Sequence, residues 1–301
     1  MNYQILLYYK YTNVEDPNEL LKSQRELCES LNLKGRIIVS KEGINGTVEG
    51  SVENTEKYVQ EMFSDLRFKG MNFKRSEGTG DAFPKLSIKV RPELVSGHLG
   101  EDDVNPNEMT GKYITAEELH KLFNSNEEFY IVDMRNDYEH KVGYFKNSIL
   151  PALSNFRDLP KIIGSLEHLK DKKVITVCTG GVRCEKASGY LVKKGFKDVY
   201  QLENGIVTYM EKYPNEDFLG KLYVFDGRVV MGFETDSDEH VIVSKCEKCG
   251  KVSDNYIDCA YIHCKGHRHI ICCKDCYAVD GKAYCCNECE QKALAVVEIN
   301  N

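Results

Sequence analysis

The chain has 301 residues, of which 42% are hydrophobic, and its formal net charge at pH 7 is -7. This length and apolar content suit two or three packed domains and exclude a disordered or fibrous chain. The negative charge argues against a wholly basic nucleic-acid-binding protein, because contacts with phosphates require local positive potential.

The chain begins with "MNYQILLYYKYTN", which lacks a basic flank and is interrupted by polar groups and Lys10. No other segment approaches the roughly 18 uninterrupted apolar residues of a membrane helix. We therefore expect a cytoplasmic protein without a membrane partner. In that reducing compartment, the 13 cysteines are expected to bind metal or carry out chemistry rather than form disulfides.

Hydrophobic periodicity predicts an N-terminal domain over residues 1–92 with the element order βαββαβ. The predicted elements are a strand at 3–11, a helix at 17–32, a hairpin at 36–49, a helix at 52–66 and a strand at 85–91. This order is typical of a ferredoxin-like sandwich of the acylphosphatase or RRM type, a fold that hosts many functions. Within the hairpin, Asn45-Gly46 is a strong turn signal.

Basic residues of this domain are scattered along the chain. They are Lys69, Lys74, Arg75, Lys85, Lys89 and Arg91. We interpret them as solvated surface charge, with a local basic face for nucleic acid as the alternative.

Residues 93–112 contain prolines, glycines and acids without sustained periodicity, and they are predicted to form a linker. Thr115 and Glu118 then form a capping box that begins a helix. From there to Tyr213, strands alternate with helices, which predicts an α/β domain over residues 113–213 whose parallel sheet has helices on both faces. Reactive groups in such sheets lie where a strand leads into a helix.

The segment "VCTGGVRCEKAS" occupies such a position, because Cys178 follows the apolar run Val174–Val177. We predict a loop from Cys178 to Arg183, with a helix beginning near Cys184. Its anion cradle would be formed by Thr179, Gly180, Gly181 and Val182, whose N–H groups the glycines allow to turn inward. A thiolate in this cradle, near a helix N-terminus and Arg183, would have a lowered pKa and be a good nucleophile.

The size of the loop separates sulfur chemistry from phosphate chemistry. Cysteine phosphatases have one more residue between cysteine and arginine than the four at positions 179–182 here. The smaller cradle suits a sulfane sulfur better than a tetrahedral phosphate. The alternative without chemistry, a buried cysteine beside a glycine turn, is disfavoured by the neighbouring arginine and second thiol.

The C-terminal region, residues 214–301, contains ten cysteines in four paired groups, three of them with C-x2-C spacing. Such pairs bind tetrahedral zinc, here in structural sites, because four thiolates leave no open coordination position. An interleaved arrangement predicts one site of Cys246, Cys249, Cys273 and Cys276, and another of Cys259, Cys264, Cys286 and Cys289. Cys272 and Cys285 are then surplus, and His263, His267 and His269 are possible substitutes as ligands. The alternatives to zinc are an iron-sulfur cluster and a reduced tail without metal.

Several motifs together carry a family resemblance. The segment "VDMRNDYEHKVGYFKNSI", with Asp133, Arg135, Glu139 and Gly143, precedes the Cys178 strand as in rhodanese domains. More specifically, "CTGGVRCEKAS", "KEGINGT", "DMRNDYEHKVGYF" and the cysteine-rich tail resemble the tRNA uridine hydroxylases of the rhodanese superfamily. The likeness covers nearly the whole chain in the right order.

That resemblance implies an oxidoreductase that uses oxygen to convert the wobble uridine, nucleotide 34 of tRNA, to 5-hydroxyuridine. Its partner would be the anticodon loop of tRNA, and its catalytic residues would be Cys178, Arg183 and Cys184. Rhodanese geometry favours Cys178 as the nucleophile, while Cys184 is an alternative persulfide carrier or a resolving thiol. The electron donor is left open.

Two other functions compete with this one. The first is a sulfurtransferase that passes persulfide sulfur to an acceptor, and the second is a non-enzymatic module with a zinc-organised interaction surface. The N-terminal domain is interpreted either as a tRNA-docking element or as a structural, dimer-forming domain.

Overall fold

The structure is a computed structural model that describes residues 2–261, 263–264, 269–277 and 281–299. Its N-terminal part has five strands and two helices. These are β1 (Tyr3–Tyr11), α1 (Pro17–Ser30), β2 (Lys34–Ser40), β3 (Gly43–Ser51), α2 (Val52–Ser64), β4 (Phe73–Gly78) and β5 (Leu86–Val90). The sheet order is β4-β1-β3-β2-β5, and only the β2–β5 pair is parallel. The ferredoxin-like fold is therefore confirmed.

The fourth strand of this fold was assigned wrongly from the sequence. The strand that pairs with β1 is β4, whereas the predicted strand at 85–91 is an additional edge strand, β5. The sequence of β4, "FKRSEG", is mostly charged or polar. Charged side chains are common on edge strands, where they discourage pairing with other molecules, and they hide the strand from a hydrophobicity pattern.

The predicted Asn-Gly turn is also wrong. The hairpin turns at Lys41 and Glu42, and Asn45 and Gly46 lie inside β3. A Cβ atom at Gly46 would lie 2.4 Å from the ring of Tyr8. The glycine therefore makes room for a core tyrosine on one face of the sheet, and Asn45 lies on the opposite face.

The two helices cover one face of this sheet, and the core between the layers includes Leu6, Tyr8, Ile37 and Tyr58. Cys28 is buried in that core, and burial raises the pKa of its thiol to about 12. This cysteine is therefore a packing residue with no thiolate character at neutral pH.

The predicted linker is packed rather than free. Leu94, Leu99 and Val104 are buried, and Gly100–Asp102 forms one turn of 3-10 helix. Lys186 from the next domain is fully buried against this segment and pairs with Asp103 at 3.0 Å. The segment therefore fixes the two domains against each other.

The central part alternates strands and helices. Its elements are β6 (Lys112–Ile114), α3 (Ala116–Phe123), β7 (Tyr130–Asp133), α4 (Asp137–His140), β8 (Gly143–Phe145), α5 (Leu159–Leu166), β9 (Lys173–Val177), α6 (Val182–Lys193), β10 (Asp198–Leu202) and α7 (Gly205–Lys212). The sheet β6-β10-β9-β7 is parallel throughout. One core packs α5 and α6 on one face, and another packs α3 and α7 on the other. The predicted parallel α/β domain and the capping box of Thr115 and Glu118 are confirmed.

The C-terminal region contains short elements. They are β11 (Phe218–Gly220), β12 (Leu222–Tyr223), β13 (Val230–Met231), β14 (Tyr256–Asp258), β15 (His269–Ile271), α8 (Lys274–Tyr277) and α9 (Asn287–Ile299). β11 pairs with β8 of the central part, while β12 pairs with β13 and β14 with β15. Over the ranges that the structure describes, no helix combines the length and apolarity needed to cross a bilayer.

Candidate active site

The reactive loop is shorter than the sequence predicted. β9 ends at Val177 and α6 begins at Val182, so the loop comprises Cys178–Gly181, and Arg183 lies in the first helical turn. Gly181 has a φ of 103°, in the left-handed region, which lets the chain turn directly into the helix. The N–H of Gly181 donates to the sulfur of Cys178 at 3.2 Å, and this contact agrees with the predicted inward orientation of the loop amides.

Both glycines of the loop are also required by the close approach of the N-terminal sheet. A Cβ atom at Gly180 would lie 2.9 Å from Leu7, and one at Gly181 would lie 2.7 Å from the hydroxyl oxygen of Tyr9. Leu7 and Tyr9 lie on the face of β1 opposite its helices. That face of the N-terminal sheet therefore covers the reactive loop.

Hydrogen bonds hold the two domains in this arrangement. The Tyr9 hydroxyl donates to Glu185 at 2.9 Å, and the Tyr11 hydroxyl donates to the carbonyl oxygen of Val182 at 3.3 Å. Glu185 is buried and also accepts from Tyr113 at 3.0 Å and from Gln201 at 3.1 Å. The first turns of α6 are thus fastened to β1 on one side and to the parallel sheet on the other.

Cys178 and Cys184 are both fully buried by protein, yet their electrostatic environments differ. Burial, the largest influence, raises the pKa of Cys178, but a hydrogen bond from the Cys184 thiol, the charge of Arg183 and the backbone N–H groups of both residues lower it to about 6. Burial and the neighbouring Cys178 raise the pKa of Cys184. The lowered pKa favours the thiolate form of Cys178, and the raised pKa favours the protonated form of Cys184.

Arg183 is held by a carboxylate whose role the sequence did not reveal. Its two terminal nitrogens donate to both oxygens of Glu139 at 2.5 and 2.9 Å, and one also donates to Thr179 at 3.3 Å. Glu139 is fully buried, and its Oε1 accepts from the backbone N–H of Asn136 at 2.8 Å. Glu139 belongs to the family pattern recognised in the sequence, but its pairing with Arg183 becomes visible only in three dimensions.

A cavity of about 380 Å³ opens above the loop, a size typical of small-molecule sites. Cys178 and Thr179 line it from the loop, and Asn45 and Thr47 line it from the N-terminal sheet. Phe225 of the C-terminal region completes the wall. The cavity is therefore built by all three regions of the chain around one low-pKa thiol.

The C-terminal cysteines form two groups, and within each group the four sulfur atoms lie within 4.8 Å of one another. The first group is the predicted one, Cys246, Cys249, Cys273 and Cys276. The Cys249–Cys273 sulfur distance is 3.6 Å, close to the roughly 3.8 Å edge of a tetrahedron with metal-sulfur bonds of about 2.3 Å. This group fits a tetrahedral metal ion.

The second group differs from the prediction by one residue. It consists of Cys259, Cys264, Cys285 and Cys289, and Cys286 is exposed outside it. The backbone N–H of Cys285 points at the sulfur of Cys259, and the sulfur of Cys285 lies 3.5 Å from those of Cys264 and Cys289. Spacing alone did not separate the two adjacent cysteines.

The surplus cysteine and the histidines have other positions. Cys272 is buried beside the first group without belonging to it. His269 pairs with Asp258 at 2.5 Å, His263 packs against Tyr261, and neither belongs to a cysteine group. His267 lies outside the described residues. Both groups are therefore sets of four thiols.

Comparison with known proteins divides the chain into three matched regions. Residues 3–94 match the family described as "UPF0176 acylphosphatase like domain", residues 115–212 match "Rhodanese-like domain", and residues 219–290 match "Rhodanase C-terminal". A solved rhodanese-like domain protein from Staphylococcus aureus is 31% identical and covers 33% of this chain and 90% of its own, with a TM-score of 0.28.

Full-length relatives match almost the whole chain. A protein of Bacillus cereus (strain AH820) named tRNA uridine(34) hydroxylase is 46% identical over 290 residues, which are 95% of this chain and 89% of the relative. The protein of the same name from Bacillus thuringiensis (strain Al Hakam) is 45% identical over the same shares. The chain therefore belongs to the tRNA uridine(34) hydroxylase family, and its Cys178–Gly181 loop lies within the region that matches the rhodanese-like domain.

Proposed function

We propose that this protein hydroxylates C5 of uridine 34 in tRNA, with dioxygen as the source of the oxygen atom and Cys178 as the nucleophile. The observation that carries the proposal is the Cys178 thiol, whose pKa is lowered to about 6, at the floor of a 380 Å³ cavity. The name of the relatives supplies the substrate, and it does not favour a sulfurtransferase or a non-enzymatic module.

Uracil C5 is a weak nucleophile until C6 is attacked. In the proposed reaction the Cys178 thiolate forms a bond to C6, and the electrons of the 5,6-double bond move towards C5 and O4 as an enolate. C5 then takes one oxygen atom of dioxygen, and the second leaves as water with two electrons and two protons from an external reductant. Loss of the C5 proton and expulsion of the thiolate restore the double bond and give 5-hydroxyuridine.

The residues around Cys178 support this chemistry in different ways. Cys184 donates a hydrogen bond to the Cys178 sulfur, so it stabilises the thiolate before attack and after its expulsion. The N–H groups of the loop, including that of Gly181, provide donors for negative charge near the cavity. Arg183 stabilises the same charge from a position fixed by Glu139.

The proposed partner is the anticodon loop of tRNA, and we propose that the protein acts on it in the cytoplasm. A wobble base is unpaired, so it can be turned out of the loop into a pocket at lower cost than a paired base. The face of the N-terminal sheet opposite its helices borders the cavity, and Arg36, on that face, lines the cavity wall. Arg36, Lys89 and Arg91 are exposed, and over the described residues no carboxylate lies within ion-pair distance of them. These cations are suited to contact phosphates.

Not all of the basic residues noted in the sequence serve such a face. Lys74 points between the domains, where burial lowers the pKa of its ammonium group to about 8. Arg75 is paired with Glu56 at 2.7 Å on the side of the sheet that packs against α2. The proposed tRNA-binding face therefore centres on Arg36 and the β5 edge.

Zinc is the metal that we propose for the two cysteine groups, with a structural role. Four thiolates and no open coordination position are typical of structural zinc. We expect two zinc ions per chain in the wild-type protein and in C286S, and one in C285S, because only Cys285 belongs to a group. Metal analysis of freshly purified proteins measures this. Equal zinc contents in C285S and C286S, or iron in place of zinc, would show the assignment to be wrong.

The proposed function is tested by nucleoside mass spectrometry of tRNA. Cells that lack the gene are expected to lose 5-hydroxyuridine and the nucleosides derived from it, and the wild-type gene should restore them. Loss of thiolated nucleosides instead would identify a sulfurtransferase. An unchanged set of nucleosides would point to the non-enzymatic interaction module.

A further inference from the structure

A hairpin of the C-terminal region presents an aromatic ring to the catalytic cavity. Strands β12 and β13 are joined by a turn that carries Phe225, and the N–H of Val224 donates to the carbonyl oxygen of Val229 at 2.9 Å. Phe225 is 46% exposed, although it lies between the domains and lines the cavity above Cys178. The part of the ring that protein atoms leave uncovered is available for contact with a ligand.

Hydrogen bonds fasten the hairpin to the N-terminal domain. Arg228 binds Asp226 through two hydrogen bonds of 2.8 and 2.7 Å, and its remaining nitrogen donates to Ser76 at 2.9 Å. The N–H of Gly227 donates to the carbonyl oxygen of Ala82 at 2.8 Å. These contacts hold the turn in one position relative to the wall formed by the sheet.

The turn is also strained in a way that requires such support. Val229 has a φ of 62°, in the left-handed region, which is rare for a residue branched at Cβ. Strain of this kind persists where the surrounding structure determines the conformation, and it is concentrated at ligand-binding and catalytic sites. The conformation that places Phe225 at the cavity is therefore maintained at an energetic cost.

The immediate surroundings of the ring connect it to the reactive loop. The guanidinium carbon of Arg183 lies 5.9 Å from the centroid of Phe225, and Tyr223 supports the ring edge-on, with centroids 5.1 Å apart. Leu7 and Thr47 of the N-terminal sheet line the same space. A flat group that entered the cavity would meet the Phe225 ring and Cys178 together.

We propose that Phe225 is the stacking platform that holds the base of nucleotide 34 over Cys178. The inference rests on the proposed function and adds the residue that positions the substrate. Single-stranded bases are commonly held by aromatic side chains, because every base has a π-face. The attack on C6 requires the sulfur to approach the face of uracil, so an aromatic group that fixes the plane of the base sets the geometry of the reaction.

The test compares two RNAs on four forms of the full-length protein. The RNAs are anticodon stem-loops with uridine or an abasic nucleotide at position 34, and the proteins are wild type, F225A, F225Y and F63A. Phe63 is a matched control, since it is 39% exposed on α2 and does not line the cavity. Fluorescence anisotropy of labelled RNA gives the Kd of each pair.

Wild type, F225Y and F63A are expected to bind the uridine RNA roughly ten- to a hundredfold more tightly than the abasic RNA. This is the gain in affinity that stacking of one base on an aromatic side chain provides. For F225A the two affinities should become nearly equal. If F225A keeps the full preference, or weakens both RNAs equally, Phe225 is not the platform while the proposed function stands. If the wild-type protein itself does not distinguish the RNAs, the base does not enter this site and the proposed function fails with it.

Discussion

Replacing Cys178 with serine is expected to abolish formation of 5-hydroxyuridine, with a loss of at least about a thousandfold in rate, as is found when a nucleophile is removed. A hydroxyl group at this position is not ionised near neutral pH, so it cannot add to C6. Quantitation of 5-hydroxyuridine in tRNA from cells that carry C178S in place of the wild-type gene measures the loss.

Two further variants separate Cys178 from the other thiols. C28A should retain activity, because Cys28 is a buried core residue whose pKa is raised to about 12. C184A removes a hydrogen bond that lowers the pKa of Cys178, so that pKa should rise above its value of about 6. Full activity of C178S would contradict the assignment, and so would loss of activity in C28A with its folding intact.

The pKa of Cys178 also determines how the reactivity of its thiol depends on pH. The reactive form is the thiolate, so alkylation of Cys178 by iodoacetamide should be fast above pH 6 and should slow as the pH falls through about 6. In C184A the midpoint is expected at higher pH. A midpoint near the ordinary cysteine value of about 8.5 in the wild-type protein would show that the loop does not activate the thiol.

Replacing Glu139 with glutamine is expected to destabilise the protein by about 3–5 kcal/mol, because it leaves the charge of Arg183 buried without a counter-ion. Glu139 is fully buried and binds Arg183 through both oxygens, and it also accepts from Thr179 at 3.3 Å. One substitution therefore disturbs the loop and the segment that precedes it. Urea denaturation of the full chain, followed by circular dichroism, measures the change in the free energy of unfolding.

The matched control is an exposed ion pair on the same domain. Lys212 and Glu117 are about half exposed, so K212M should change stability little. Replacing both partners, as in E139M/R183M, should recover much of the stability lost in E139Q, because no charge is then left unpaired. If E139Q and K212M have equal effects on unfolding, the Glu139–Arg183 pair does not organise the loop.

The strongest parts of the sequence prediction were those with regular periodicity. β9, with its apolar run Val174–Val177, and the alternation that follows it identified the parallel sheet and placed Cys178 at a strand end. The hydrophobicity pattern did not predict the charged strand β4, because edge strands need not be hydrophobic. Asn45-Gly46 misled because glycine there serves a packing requirement of Tyr8 rather than a turn. Local patterns do not distinguish these two uses of glycine.

The contribution of the N-terminal domain to the site could not be read from any motif. One signal was present, because β1 has Leu7 and Tyr9 on one face and Leu6 and Tyr8 on the other. A strand that is apolar on both faces is expected to be covered on both faces. The sequence does not identify the segment that covers the second face of β1, which in the structure is the Cys178 loop.

Other site features depend on contacts between distant segments. Phe225 lies in a region without a recognised motif, and Glu139 meets Arg183 across 44 positions of the chain. Cys285 and Cys286 are adjacent, so only the direction of the chain as it enters α9 selects between them. The domain limits at residues 92, 112 and 213 stay predictions, and Leu7, from the first domain, packs against the core of the second.

The central claim is that Cys178 directs an oxygen atom from dioxygen to C5 of uridine 34. Growth under 18O-labelled dioxygen of cells that carry the wild-type gene or C178S, followed by mass spectrometry of nucleosides from purified tRNA, tests it directly. The wild type should give 5-hydroxyuridine that carries the heavy isotope, and C178S should give none. Unlabelled 5-hydroxyuridine in the wild type, or labelled product at full yield in C178S, would contradict the claim.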